Sequence, residues 1–514
     1  MTNRKFAVNT TFNVVFKLFG VVIGFVVVPL FVRRLGIELY GVWALAGVVV
    51  GYLGLLDLGM SSGAITKYVA GALAMDDQVE MRQVVSTSLV TMAAVGAVIC
   101  LALVLLAPAL VSAFKVSAAQ RDSAIHLLRI AGVFSLVTSV VRTGEPVAQG
   151  LNEYVPLSVI GGLSAILSSL ALLVGVWLGW SIELLFIVSN SIGVMLSALL
   201  WWVVVRRYLP YYAFRAGDVS WSCAKRMLKF GAGLVYANVL SMLAYTGDNL
   251  ILGSVLSAVE VGIYNVISKP FYQLRAIRAM FTGAIRPLIF AADRVNDMAL
   301  IEDMAVRRSR LLSIAFVPLV VTAIVVCKPF FTLWVGESLA RYAVWAQLFL
   351  VTQLYAIQQA VVGIIGEGRS KLKALNTFHT VLSLSNFFLS IALTLWLGFP
   401  GVIIGTFLTD FLPMPLSFVI YCRIAEVNLR AVVMMTARTL GVFCSLMLLG
   451  ALAERELDPD TWMSLILFSA GLWTIQMAAA FVLLLTAAER RRVLAVARSL
   501  PSRLQQVRIS WGVQ

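Results

Sequence analysis

Apolar residues in this chain do not alternate with polar ones at the two-residue or 3.6-residue period of a half-buried strand or helix. They run in long blocks. The blocks lie at 6–32, 39–58, 84–111, 124–149, 155–178, 182–205, 228–256, 261–290, 310–333, 342–365, 372–397, 400–422, 433–452 and 463–486. Most reach the ~20 residues that a helix needs to cross ~30 Å of hydrocarbon, so about fourteen transmembrane helices are predicted. The loops between them stay at roughly 25 residues or fewer, which leaves no room for an extramembrane catalytic domain. One of the longer loops, 206–227, is basic and ends in the amphipathic run SWSCAKRMLKF, expected to lie along the membrane surface.

Composition agrees with this pattern. The 514 residues are 61% hydrophobic and 13% charged, against about 25% charged in a soluble domain. The formal charge of +15 is concentrated in alternate loops. Arg206, Arg207, Arg215, Lys225, Arg226 and Lys229 share one, Arg294, Arg307, Arg308 and Arg310 a second, and Arg369, Lys371 and Lys373 a third. The tail adds Arg490, Arg491, Arg492, Arg498, Arg503 and Arg508, and all four segments fall on the side of Arg4 and Lys5. The last loop on the other side carries Glu454, Glu456, Asp458 and Asp460. Positive loops stay in the cytoplasm, so both termini of this multi-pass chain are expected there. The basic charge is topology and implies no nucleic acid. The first block is too long for a signal-peptide core and is expected to remain as a helix. Five scattered cysteines and two isolated histidines suggest neither a disulfide framework nor a metal site.

Block 261–290 departs from the others. It carries Lys269, Arg275, Arg278 and Arg286 and no acid after Val261, although a cation at the centre of a membrane helix costs about 2.5–3.5 kcal/mol. At about 100° per residue, Arg275 and Arg286 nearly eclipse and Arg278 lies about 60° away. Lys269 sits just before a kink expected at Pro270. One reading is a cationic stripe facing a wet cavity that receives an anion; the other is snorkelling and pairing with acidic neighbours. Snorkelling suits Arg286 better than Arg275. Further ionisable residues within blocks are Lys17, Asp57, Arg129, Arg142, Glu145, Asp248 and Asp410. Arg142 and Glu145, three apart, can pair on one helix face. The cations outnumber the acids seven to four, so pairing alone leaves an excess that an anionic ligand would balance, and arginine suits phosphate through its bidentate fork. Arg275, Arg278 and Arg142, with Lys17 and Lys269, are the candidate anion pocket; Arg129 and Arg286 are further candidates. Asp57 reads as a helix-end cap or a partner for Lys67. Asp248 reads as ordering an outer turn or pairing with a cation of the next block. Asp410, between Gly405 and Pro413, is the best placed for an ion or proton. Asp57, Glu145, Asp248 and Asp410 are together the acidic set, ion-coupling or structural.

Two weak self-matches suggest an internal repeat. Leu35, Gly41, Val42 and Trp43 align with Leu256, Gly262, Ile263 and Tyr264 at an offset of 221, and Gln149–Gly150 with Glu367–Gly368 at 218. An offset of six spans preserves membrane orientation, so the halves would be parallel repeats. The expected fold is an all-α polytopic membrane protein with two parallel six-helix lobes around a central cavity plus two C-terminal helices. Its divisions are an N-lobe over 1–205, a basic linker over 206–227, a C-lobe over 228–425, a helix pair over 426–488 and a basic tail over 489–514.

Three segments carry a family likeness: PLFVRRLGIELYGVWAL followed by YLGLLDLGMSSGAITKYVA (29–45 and 52–70), TGDNLILGSVLSAVEVGIYNVISKPF (246–271) and GEGRSKLKALN (366–376). The chain resembles the polysaccharide-transporter branch of the multidrug/oligosaccharidyl-lipid/polysaccharide exporter superfamily, the Wzx-type flippases. That resemblance implies a carrier, not an enzyme, which moves an undecaprenyl-pyrophosphate-linked glycan of an O-antigen, capsule or exopolysaccharide pathway between leaflets by alternating access. Expected partners are that glycan, membrane lipids, and the glycosyltransferases, polymerase or ligase of the same pathway. No nucleotide motif is present, since GEGRS lacks the lysine and spacing of a phosphate loop. No cofactor is expected, and H+ or Na+ coupling or the membrane potential remains as the energy source. Two rivals are an ion-coupled multidrug antiporter of the same fold and a membrane-embedded glycan polymerase or ligase. The antiporter would be expected to have an acidic cavity, and the enzyme a large outer loop.

Overall fold

The structure, a computed structural model, describes residues 23–283, 285–369 and 371–491. Lys17, Arg4, Lys5 and the tail arginines from Arg492 onward lie outside the described residues. Every regular element among the described residues is helical. In a membrane this is the expected outcome, because a lipid-facing backbone must satisfy its own hydrogen bonds.

In chain order the helices are α1 (23–35), α2 (Ile37–Gly54), α3 (Ile65–Ala74), α4 (Gln78–Ala113), α5 (Arg121–Val141), α6 (Gly144–Gly150), α7 (Tyr154–Trp177), α8 (Ile182–Val203), α9 (Trp221–Val255), α10 (Ala258–Ile267), α11 (Lys269–Gly283) and α12 (Arg286–Arg294). They continue as α13 (Met298–Asp303), α14 (Ser309–Val325), α15 (Cys327–Val335), α16 (Glu337–Ala340), α17 (Ala343–Val351), α18 (Ala356–Gly368), α19 (Leu372–Leu397), α20 (Pro400–Asp410), α21 (Met414–Ala425), α22 (Leu429–Leu457) and α23 (Trp462–Leu484). Among the described residues nine helical segments are long and apolar enough to cross a membrane, or eleven when the bent pairs α17–α18 and α20–α21 each count as one span.

The expected fourteen spans differ from this number in three places. Block 6–32 begins in residues outside the described ones. Block 228–256 lies within α9, a continuous 35-residue helix of about 52 Å, which also absorbs the amphipathic run at 220–230. That run does not lie apart on a membrane surface, because Cys223 and Met227 are buried in a core with Met60, Ile65, Met81 and Val147. Block 261–290 is not one helix. It is parts of α10 and α12 with α11 between them, with turns at Ser268 and Ile285. Pro270, which cannot donate a backbone hydrogen bond, sits at the second position of α11, and Pro287 does the same in α12.

Two compact units divide the chain: Met1–Val266 with Thr380–Gly405, and Ile267–His379 with Thr406–Gln514. In the first, α4 packs along α5, α7 along α8, and α2 against α9. In the second, α14 is the central helix, covered by α18, α22 and α23; Gly450 of α22 sits against Leu472 of α23 and Val325 of α14. The C-terminal helix pair is thus anchored on α14. Each unit also contains the same small joint. Gly150 of α6 presses on Val69 of α3 in the first, and Gly368 of α18 on Phe290 of α12 in the second. Val69 and Phe290 are themselves 221 positions apart.

At the basic end of the second unit, the buried Glu489 closes a capping box with Thr486, accepting its backbone N–H at 2.9 Å and its hydroxyl at 2.9 Å. The same carboxylate pairs with Arg310 and, at 3.3 Å, with Arg307. Burial opposes ionisation of this group, but the Thr486 hydrogen bonds and the two arginines outweigh it and hold the carboxyl below its ordinary value. A depressed folded-state value stabilises the fold above the unfolded value, near 4.3, and the gain is lost as pH falls through the folded one. Glu489→Gln is therefore expected to lower stability at pH 7 by roughly 1–3 kcal/mol and to flatten the acid-side loss of stability below about pH 4.3. Thermal unfolding in detergent across pH measures both.

Candidate functional site

The charged residues of the second unit gather on and around α11. Lys269 opens the helix and is half-buried, and Arg275 and Arg278 follow at half-buried positions one turn apart. Phe271, Leu274 and Thr282 of the same helix are buried, with Phe271 against Phe349 at 5.2 Å between ring centroids. These contacts place α11 against α17 and α18, and α18 in turn packs on α21. The Thr282 hydroxyl donates back to the Arg278 carbonyl at 3.1 Å.

Asp410 is the acid of this cluster. It ends α20 where the chain breaks before α21, with a bend of 41°. Asp410 is exposed, and its carboxylate lies within electrostatic reach of Arg275 and Arg278. The break frees the Asp410 carbonyl from its helical partner, and the hydroxyl of Tyr355 donates to it. Tyr355 packs on Phe411 and Phe418 at 5.7 and 6.3 Å, and Tyr355 and Tyr421 both sense the Asp410 charge. Tyr421 shares a 3.1 Å hydrogen bond with His379. Tyr355, Tyr421 and His379 were not read from the sequence as functional, because uncharged aromatics and a lone histidine within apolar blocks carry no signal there. Discontinuous helices that expose backbone and carry charge at membrane depth are where membrane transporters place ligand and ion sites.

The remaining candidates are placed differently. Arg286 is exposed and already paired with Glu367 at 2.5 Å. Beside it, Arg369 of the GEGRS turn bridges Asp293 at 3.6 Å and Glu426 at 2.7 Å, so that turn is a structural joint. In the first unit, Arg142 caps the end of α5 and pairs with Glu145 at 2.8 Å, the side chains 63% and 32% exposed. Arg129 is exposed on α5. Asp57 closes the α2 turn, accepting the Gly59 and Ser61 backbone N–H groups at 2.8 and 3.1 Å and the Ser61 hydroxyl. Lys67, its alternative partner, sits 3.7 Å over the Phe230 ring. Buried Asp248 accepts the Tyr264 hydroxyl at 2.7 Å, and Asn265 donates to Asn249 at 2.5 Å. These two bonds bolt α9 to α10 across their turn. The sequence thus brought the Arg275–Arg278 pair and Asp410 forward separately, and the fold puts them in one unit.

The described residues thus form a helical chain with several apolar spans, bent pairs among them and charge clustered beside the breaks. Comparison with known structures agrees at the level of fold. A structure of the lipid II flippase MurJ, in an inward closed conformation, superposes with a TM-score of 0.66 at 14% identity, covering 90% of this chain and 97% of that one. An inward-facing multidrug resistance MATE family transporter of the MOP superfamily gives 0.65 at 14% identity, covering 79% and 95%. The family model for polysaccharide biosynthesis proteins matches residues 6–292, and the chain belongs to that family. A candidate O-antigen transporter of Shigella flexneri is 21% identical over 335 residues, 63% of this chain and 77% of its own. The membrane protein EpsK of Bacillus subtilis, itself uncharacterized, is 22% identical over 349 residues, 66% and 67% of the two chains.

The exposed Arg286–Glu367 pair is expected to contribute little, as surface ion pairs do. Arg286→Gln should shift unfolding stability by about 1 kcal/mol or less and leave the protein's membrane level unchanged, read by thermal unfolding and immunoblot.

Proposed function

We propose that this protein is a flippase that carries an undecaprenyl-pyrophosphate-linked oligosaccharide from the cytoplasmic to the periplasmic leaflet of a bacterial inner membrane, by alternating access between two lobes. Both termini would lie in the cytoplasm, as the basic loops imply. The observation that carries this reading is the half-buried Arg275–Arg278 pair on a broken helix, within electrostatic reach of the Asp410 carboxylate. Two guanidinium groups one turn apart suit the several oxygens of a pyrophosphate. Family membership and the fold support a carrier of lipid-linked glycans, and Lys269 beside the pair would widen the positive field.

In this mechanism the arginines draw the pyrophosphate away from water while the lipid tail stays in the bilayer. Asp410 would then be released from its role as counter-charge and become available to a proton or sodium ion. The energy would come from an ion gradient or from the membrane potential, worth about 2.3 kcal/mol per charge per 100 mV. The same acid in the same site favours one alternative, an ion-coupled antiporter for organic cations. In that case Asp410→Asn would abolish resistance to cationic dyes.

Replacing Arg275 and Arg278 together by alanine should trap lipid-linked precursor on the cytoplasmic face at unchanged protein level, and Lys substitutions should restore part of the export. Leaflet-specific labelling of the precursor, alongside surface glycan, reads this. Normal surface glycan in the double alanine variant would remove the pyrophosphate role from these two residues.

A further inference from the structure

Three side chains stand together on the last turn of α20, all within the second unit. The Phe411 backbone N–H donates to the Phe407 carbonyl at 2.8 Å, so the helical turn continues past Asp410. Phe407, Asp410 and Phe411, at spacings of three and four, therefore share one face. The two phenyl rings stack, with centroids 4.9 Å apart and planes 15° from parallel. Both phenylalanines are half-buried and Asp410 is exposed, whereas Thr406 and Thr409 on the other side of the helix are buried. Tyr355, itself buried, fixes the group. Its ring lies 5.7 Å from that of Phe411, and its hydroxyl donates to the Asp410 carbonyl.

A carboxylate within the apolar block 400–422 does not face lipid, so this side of the turn is a wetted one. Aromatic surface beside a fixed acceptor is complementary to a pyranose. A sugar ring carries C–H groups on its flat faces and hydroxyls around its rim. The C–H groups are slightly positive and suit the negative face of a phenyl ring. The carboxylate, with about four lone-pair sites, can accept from two neighbouring hydroxyls. An organic cation would also suit the ring faces. Here, however, the guanidinium groups of Arg275 and Arg278 are both within electrostatic reach of the one carboxylate, which disfavours a cation. A neutral sugar joined to an anionic group meets no such repulsion.

We propose that Phe407, Asp410 and Phe411 form a sugar-recognition platform. The first sugar of the glycan stacks on the two rings, and Asp410 accepts its hydroxyls. The pyrophosphate goes to Arg275 and Arg278, and the sugar beside it goes to the platform, so these three side chains set which glycans are accepted. The inference rests on the carrier reading proposed above and adds to it a separate site for the sugar.

Two probes separate the sugar from the pyrophosphate: bare undecaprenyl pyrophosphate, and the lipid-linked oligosaccharide extracted from the native cell. Each is titrated against the purified chain in nanodiscs. Phe407→Leu together with Phe411→Leu keeps the helix face apolar and removes the ring faces. It should weaken binding of the oligosaccharide about tenfold and of the bare pyrophosphate by about twofold or less. Thermal unfolding without probe checks that the variant is folded. Asp410→Asn should tighten bare pyrophosphate, because a negative charge beside the arginines is gone, while the advantage of the oligosaccharide over it falls. A carboxylate acting only as counter-charge would change both affinities by the same factor. That outcome, or equal losses for both probes in the leucine variant, would overturn the platform. Wild-type protein that binds both probes equally would keep the carrier reading and remove the sugar site; protein that binds neither would remove both. Binding of a cationic dye that depends on the two rings, with the oligosaccharide indifferent to them, would assign the rings to an antiporter instead.

Discussion

A membrane interior has no water to receive an unpaired backbone group or an isolated charge, and the architecture of this chain follows from that constraint. Most spans meet it by being continuous helices with apolar surfaces. The second unit departs from this at three places: the start of α11 and the breaks within α17–α18 and α20–α21. Each break frees backbone groups and is surrounded by the residues that tolerate it. Tyr355 takes up the loose Asp410 carbonyl; buried Thr352 returns its hydroxyl to the Phe349 carbonyl at 2.7 Å. Charge at membrane depth is found beside such breaks, where polar neighbours already exist.

The motifs that carry the family likeness turn out to be joints. Asp57 of the DLG step holds its own turn. Asp248 and Asn249 of TGDNL bolt α9 to Tyr264 and Asn265 of α10. Arg369 of GEGRS ties the turn after α18 to Asp293 and Glu426. Polar residues in such turns fix helix-to-helix angles. The clustered charges Arg275, Arg278 and Asp410 stand outside those motifs. Polysaccharide biosynthesis family membership therefore says more about the frame than about what it carries.

Much of this was legible in one dimension. Long apolar blocks named the helices, and their boundaries at α7, α8 and α23 fall within two residues of the blocks at 155–178, 182–205 and 463–486, because glycine, tryptophan and serine at their ends punctuate the pattern. The block over 261–290 misled, since hydropathy averages across a proline that the backbone cannot ignore. The amphipathic run at 220–230 misled for the opposite reason. An apolar face can be covered by lipid or by protein, and only the fold shows that Cys223 and Met227 are covered by α3, α4 and α6.

The sequence alone determined that the chain crosses a membrane many times, that it is helical, which loops are basic, and that its apolar blocks carry cations in excess of acids. These follow from local composition and from the cost of moving polar groups into lipid, neither of which needs a partner. It also held the 221-residue echo of Gly41 in Gly262. Only the tertiary structure decided which charges meet. Arg286 is placed against Glu367, whereas Arg275 and Arg278 lie within electrostatic reach of Asp410, 135 and 132 positions away. Pairing across such distances depends on how helices pack, and packing is settled by the fit of whole surfaces rather than by any stretch of chain.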